Sequence, residues 1–230
     1  MEQNVTPVIE DYLEAIHRLQ EKNKVARTND LAKMLNVALG TVTNTVERLE
    51  REGYIIHVPY KGVKLTEKGD KIALQVLRRH RLSERLLTDI LHIDWDKVHE
   101  AACKLEHGMT EEILNSIEKI LNHPKTCPHG NPIPSQQGKI VEEDFENLAQ
   151  LDTNERSTIV KIANENQELL HYLSKMGVAP GVLVEIVEKA PFGGPITIKI
   201  NKVTHALSLE VASIIKVKKK RRDQNETNLT

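Results

Sequence analysis

Residues 28–66 read TNDLAKMLNVALGTVTNTVERLEREGYIIHVPYKGVKLT, and this stretch decides the fold of the amino-terminal third. TNDLAKMLN (28–36) carries a short helical pattern, 37–40 form a turn, and TVTNTVERLEREG (41–53) is a second helix that Gly53 ends. Two extended runs follow, 54–58 and 63–66, joined through Pro59 and Gly62 into a small hairpin. Upstream, Val8, Tyr12, Ile16 and Leu19 recur at helical spacing over 6–22, behind Thr6 and Pro7 as cap and first turn. Three helices and a hairpin predict a winged helix-turn-helix, whose third helix enters a DNA major groove while the wing approaches the flanking backbone.

The residues on that third helix suit such a task. Val42, Val46 and Leu49 share one face and pack inward. The opposite face offers Asn44, Arg48 and Arg51, flanked by Thr41 and Thr43, and the wing adds Lys61 and Lys64. Asn addresses adenine edges, Thr reaches bases, thymine methyls or phosphates, and Arg reads guanine or neutralises phosphate. The competing explanation is a plain solvated helix surface, and Glu47, Glu50 and Glu52 offset the local positive charge. The whole chain carries a formal net charge of -1, so a nucleic-acid partner has to be argued from local architecture and not from bulk electrostatics.

Moving outward, a long helical pattern runs from Glu67 through DKIALQVLRRHRLSERLLTDIL, a further helix starts at Asp94 or Asp96, and another covers 110–121. NHPKTCPHGNPIPSQQG (122–138) is dense in proline, glycine and asparagine and reads as a connection. Beyond about residue 140 the chain turns to short β-rich runs, STIVKIA, VLVEIVEKA, ITIKI and ASIIKVK, with one helix near 166–175, which predicts a small antiparallel barrel. The expected fold is mainly α with small β parts. Its divisions are a winged-helix unit (1–73), a helical metal-binding and dimerisation unit (74–140), a β unit (141–218) and a disordered basic and polar tail (219–230).

Composition narrows the function. With 39% hydrophobic residues and no apolar run long enough to span a bilayer, the expectation is a soluble cytoplasmic protein without a membrane partner. Two cysteines, Cys103 and Cys127, do not make a disulfide framework, and they leave thiols free for metal. The sequence contains no H-E-x-x-H motif, nucleophile elbow or phosphate-cradling glycine loop, which speaks against an enzyme.

The sharper chemistry lies between residues 80 and 107. His80 and Glu84 stand one turn apart on the long helix and can chelate one ion. The next helix gathers His99, Cys103, Glu106 and His107 into one arc. Singly, such residues are ordinary surface or core groups. Together, His, Glu and Cys striped between apolar positions are costly to bury unless something such as a divalent cation satisfies them.

HRLSERLLTDILHIDWDKVHEAACKLEH, followed by CPHGNPIP, resembles the signature of the diphtheria toxin repressor family of iron- and manganese-dependent regulators, and the likeness covers nearly the whole chain. The resemblance implies a winged helix, a helical dimerisation region and a C-terminal SH3-like β-barrel. It also implies two metal sites per subunit. One would use His80, Glu84 and His99, completed from the SH3-like domain by Glu165 or, as the favoured candidate, Glu168. The other would use Cys103, Glu106 and His107 with Asp11 on the first helix, and Glu14 one turn later. Within the family's pattern the Cys127 and His129 pair is structural. The EDYLE run that holds Asp11 and Glu14 matches the manganese-responsive branch, while Cys103 matches the iron-responsive one.

A thiolate favours Fe2+, Co2+, Ni2+ or Zn2+ over Mn2+, so Fe2+ is expected, with Mn2+ second. The expected function is a repressor that binds double-stranded operator DNA as a homodimer with metal as corepressor. The alternatives are a manganese-responsive regulator of the same family, a metal-independent winged-helix regulator, and a metal carrier with no DNA role. Ligands must shed protons to bind, so metal affinity and operator affinity should fall together on acidification.

Overall fold

The computed structural model describes residues 5–141 and 143–218; the tail read as disordered, 219–230, lies outside the described residues. By contacts the chain forms two compact units. The first comprises Met1–Ser83, Ala101–Pro124 and Ile133–Ile140, and the second Glu84–Glu100, Lys125–Pro132 and Val141–Thr230.

In the first unit α1 (Pro7–Asn23) opens with proline at its start, where no intrahelical N–H is needed. Thr6 stands at the N-cap position without a side-chain cap bond, and Lys24 closes the helix in the left-handed conformation. α2 (Thr28–Leu35) and α3 (Leu39–Arg51) follow, then β1 (Ile55–Val58) and β2 (Gly62–Leu65), paired antiparallel from Ile55↔Leu65 to Val58↔Gly62. Ile9, Tyr12, Leu13 and Ile16 of α1, Leu31 of α2, and Val42, Val46 and Leu49 of α3 bury together with Ile55 and Val63. This core sets the angle of α3, whose Thr41, Thr43, Asn44, Arg48 and Arg51 are exposed.

α4 (Glu67–Arg85) is continued by a wider turn at Leu86–Ile90. α5 (His99–Glu106) and α6 (Glu111–Ile120) complete the helices of this middle stretch, and Thr110 caps α6 by accepting from the Ile113 N–H. The sequence placed the start of α5 at Asp94 or Asp96, whereas the helix begins at His99. Side-chain bonds explain the delay. The Asp96 carboxylate accepts from His171 at 2.9 Å, and the Trp95 carbonyl accepts from His129 at 3.0 Å. A carbonyl pointed at His129 is lost to a helical ladder.

The second unit is built on a six-stranded, wholly antiparallel sheet in the order β3-β8-β4-β5-β6-β7. Its strands are β3 (Glu146–Asn147), β4 (Arg156–Ile162), β5 (Leu183–Lys189), β6 (Ile196–Ile200), β7 (Val203–Leu207) and β8 (Ile215–Val217). Register shifts between Ile159 and Lys161 and between Ile186 and Glu188 bend the sheet. α7 (Gln167–Lys175), capped by Asn166, and α8 (Leu209–Ile214), capped by Ser208, bury Leu170, Leu173 and Ala212 into a core with Ile159, Ile162, Ile186 and Ile198. The 125–132 loop packs on β4 so closely that a Cβ at Gly130, which has φ +85°, would strike the Val160 carbonyl.

Gly62 has φ +135°, and a Cβ there would collide with the Ala26 carbonyl that pairs with Val63. Gly62→Ala should lower stability by about 2 kcal/mol, read as a lower urea midpoint. His17 of α1 bonds Asp70 of α4 at 2.9 Å and lies 3.6 Å from Glu21. Burial opposes its charge, but the Glu21 and Asp70 carboxylates outweigh that and hold its pKa above the ordinary value. The stability it adds is therefore full below the unfolded value of about 6.5 and lost as pH rises through the folded one. In His17→Gln that decline should vanish from urea midpoints measured across the same range.

Candidate metal centre

Among the described residues, each unit holds a cluster of ligand-type side chains of its own. In the first unit His107, the residue just past α5, has an acid of α1 on each ring nitrogen. Nε2 lies 3.0 Å from Asp11 Oδ1, and Nδ1 lies 2.7 Å from Glu10 Oε2. Glu106 Oε1 is 3.4 Å from the same Nε2, so Asp11, Glu106 and His107 each offer a donor atom within 4.8 Å of the others. The second oxygen of Glu106 meets His80 Nδ1 at 2.6 Å, and Cys103 Sγ is 3.9 Å from that nitrogen.

The electrostatics of this group suit a cation. Burial, then the like charges of Glu14 and Glu10, push the Asp11 carboxyl above its ordinary pKa, while His107 works the other way. Glu106 is also pushed up, first by burial and further by Glu14, against the pull of His80 and His107. His107 stays above its ordinary value because the bond to Glu10 and the charges of Glu106 and Asp11 outweigh its burial. Acids that crowd and desolvate one another around an imidazole are a donor set that a divalent ion stabilises. Glu14 stands apart from it, held through Oε1 by Arg18 Nε at 2.9 Å and Nη2 at 2.7 Å.

In the second unit Glu84, Cys127, His129 and Glu165 converge, with donor atoms again within 4.8 Å of one another. Glu84, Cys127 and His129 are fully buried. His129 Nδ1 lies 3.4 Å from Glu84 Oε1, 3.8 Å from Cys127 Sγ and 3.9 Å from Glu165 Oε1. Its other nitrogen is taken by the Trp95 carbonyl, and Asn131 Nδ2 donates to Glu165 at 2.5 Å. Burial disfavours a charged ring, yet Cys127 and Glu84 together push the His129 pKa up to about 11. A thiol, an imidazole and two carboxylates, with the imidazole oriented through its far nitrogen, fit a four-coordinate ion. His99 approaches the edge of this group, 3.8 Å from Glu84 Oε1.

The sequence-expected residues thus regroup. Asp11 meets Glu106 and His107, while Glu14 is engaged by Arg18. His80 and Glu84, one turn apart on α4, find different partners, Glu106 and His129. Of the two acids proposed near 165–168, Glu165 is brought to the second cluster and Glu168 is exposed in the first turn of α7. Cys127 and His129, a structural pair within the family's pattern, stand in the second cluster, and their C-x-H spacing in a proline-rich loop is the sequence signal for ligand-type residues. On α3, Arg48 Nε reaches Glu52 at 2.7 Å and the Thr43 hydroxyl donates to the Leu39 carbonyl. In the wing Lys61 is exposed and Lys64 half-buried.

Three family models match the chain. One described as the iron dependent repressor N-terminal DNA binding domain covers residues 4–63, one described as its metal binding and dimerisation domain covers 66–135, and one described as the FeoA domain covers 146–219. The chain is 34% identical over 222 residues to the iron-dependent repressor IdeR of Mycobacterium tuberculosis, covering 91% of this chain and 96% of that protein. Among solved structures it is similar to T. acidophilum IdeR, with 29% identity, a TM-score of 0.77, and 94% and 99% of the two chains covered. It is similar also to a manganese-dependent transcriptional repressor in complex with manganese, with 28% identity, a TM-score of 0.79, and 91% and 98% covered.

The geometry separates two neighbouring acids. Glu165→Ala should weaken binding of a divalent ion in the second unit by about 10-fold or more, and Glu168→Ala should leave it unchanged, as measured by calorimetric titration with Zn(II). Unchanged binding in Glu165→Ala would remove Glu165 from the cluster's chemistry.

Proposed function

The chain belongs to the diphtheria toxin repressor family of metal-dependent transcriptional repressors, and on that premise we propose that its Fe(II)-loaded form binds operator DNA of metal-homeostasis genes as a cytoplasmic homodimer. The matched DNA-binding and dimerisation domains support both partners. Among the described residues no helix is long and apolar enough to cross a membrane.

The reading is carried by one contact, the 3.0 Å approach of Asp11 on α1 to His107 at the end of α5. Asp11, Glu106 and His107 would hold one ion, with the Cys103 thiolate nearby as the soft donor. Glu84, Cys127, His129 and Glu165 would hold a second. A bound dication supplies positive charge where burial and mutual repulsion disfavour ionised acids. Asp11 ties α1 to the end of α5, and Glu106 keeps hold of His80 on α4 through its other oxygen. Because α1 and α3 share one close-packed core, fixing α1 fixes the direction of α3. In a homodimer the two recognition helices must meet half-sites about 34 Å apart, so a small change in their attitude alters affinity strongly. Thr41, Thr43, Asn44, Arg48 and Arg51 would face the bases and phosphates, with Lys61 and Lys64 on the flanking backbone.

Iron is favoured by the two thiols and by the iron-dependent names of the curated relatives. Manganese is the second reading, and one observation favours it. The group formed by Asp11, Glu106 and His107 has oxygen and nitrogen donors and no sulfur, because Cys103 lies toward His80.

A duplex selected from a random pool under anaerobic conditions, then titrated with Fe(II), Mn(II) and chelator, tests the reading. Metal should stimulate binding, Fe(II) most strongly. Cys103→Ala and His107→Ala should lose that stimulation and keep a folded dimer. Equal binding in chelator would leave a metal-independent regulator, and no selected duplex would leave a metal-holding protein without a DNA role.

A further inference from the structure

His107 is bracketed by two consecutive residues of α1, and they stand on different nitrogens. Nε2 faces Asp11 and Glu106, the two acids that share its cluster. Nδ1 faces Glu10, which is not a member of that cluster. Both oxygens of Glu10 are engaged, Oε2 by His107 at 2.7 Å and Oε1 by Arg79 Nη2 of α4 at 2.5 Å. The Arg79 and Glu10 side chains are 15% and 14% exposed, so the pair is largely shielded from competing water.

From this geometry we propose that Glu10 is a positioning residue for the metal centre: it accepts the Nδ1–H of His107, fixes the ring's tautomer, and so turns the Nε2 lone pair toward Asp11 and Glu106. The proposal rests on the reading of Asp11, Glu106 and His107 as ligands. A neutral imidazole has one N–H and one lone pair, and the partner of the first decides where the second points. A ring free to take either tautomer would present an N–H to the ion part of the time. The Arg79 guanidinium orients the Glu10 carboxylate through its contact with Oε1. It also balances the Glu10 charge, so this acid does not add fully to the load on its neighbour Asp11. The arrangement is the carboxylate–histidine pattern in which an outer partner raises the basicity of a ligating ring. In the EDYLE run Glu10 and Asp11 are adjacent acids, and nothing in a helical pattern tells which of them meets which nitrogen.

A purely structural staple of α1 to α5 and α4 is the competing account, and the ring itself can tell the two apart. Full-length protein labelled with 15N in histidine is followed at the His107 ring by NMR, at a pH where the ring is neutral, first without metal and then through a Zn(II) titration. The wild-type ring should carry its proton on Nδ1 and bind Zn(II) through Nε2. Glu10→Ala should give a mixture of tautomers and raise the Zn(II) concentration for half-saturation at His107 by about 10- to 100-fold. Glu10→Gln keeps an acceptor oxygen and should restore most of that loss. Unfolding midpoints of the metal-free variants separate lost positioning from lost folding. A wild-type proton on Nε2, or an unchanged half-saturation in Glu10→Ala, overturns the role of Glu10. A wild-type His107 ring that ignores Zn(II) overturns the metal reading beneath it, a separate result.

Discussion

The protein's design depends on placing several carboxylates against one another in a partly dry interior. Asp11 and Glu106 are pushed toward their neutral forms by burial and by neighbouring acids, and the imidazoles oppose this, His107 at Asp11 and His80 with His107 at Glu106. Such a cluster is expensive for a fold to keep unless its charge is used. Its members come from separate parts of the chain, so whatever satisfies them also determines how those parts are held. Within the first unit this links α1, and through the shared core α3, to the ends of α4 and α5.

The two clusters differ in ways that matter for metal choice. The first is oxygen-rich, and Asp11 is 45% exposed, an open character suited to exchange with the surrounding ion pool. The second has a thiol and an imidazole, with Glu84 and His129 side chains at 0% exposure, and its loop is locked by a glycine that tolerates no side chain. A closed, soft, four-donor group resembles a structural site more than an exchanging one.

The helical pattern of 6–53, the turn residues of the wing and the switch to alternating apolar runs after 140 carried the winged helix and the β unit, because local periodicity is what buries a face. Local reasoning failed where a long-range bond outbid it. The helix expected from Asp94 waits until His99, since Trp95 and Asp96 are spent on His129 and His171. His80 and Glu84, one turn apart on a helix surface, meet partners far along the chain, Glu106 and His129, and helical spacing names neither.

By itself the sequence determined which residue types were available for metal and for DNA, that they lie on amphipathic helices, and that the chain is built from a winged helix, further helices and a small antiparallel β unit. Those properties live in periodicity and composition, which a linear string carries in full. Tertiary structure alone decided the company each ligand keeps: Asp11 with His107, Glu14 with Arg18, and Glu84 with the loop pair Cys127 and His129. Pairings across many tens of residues depend on how rigid elements close on one another in space, and no spacing rule along the chain encodes that closure.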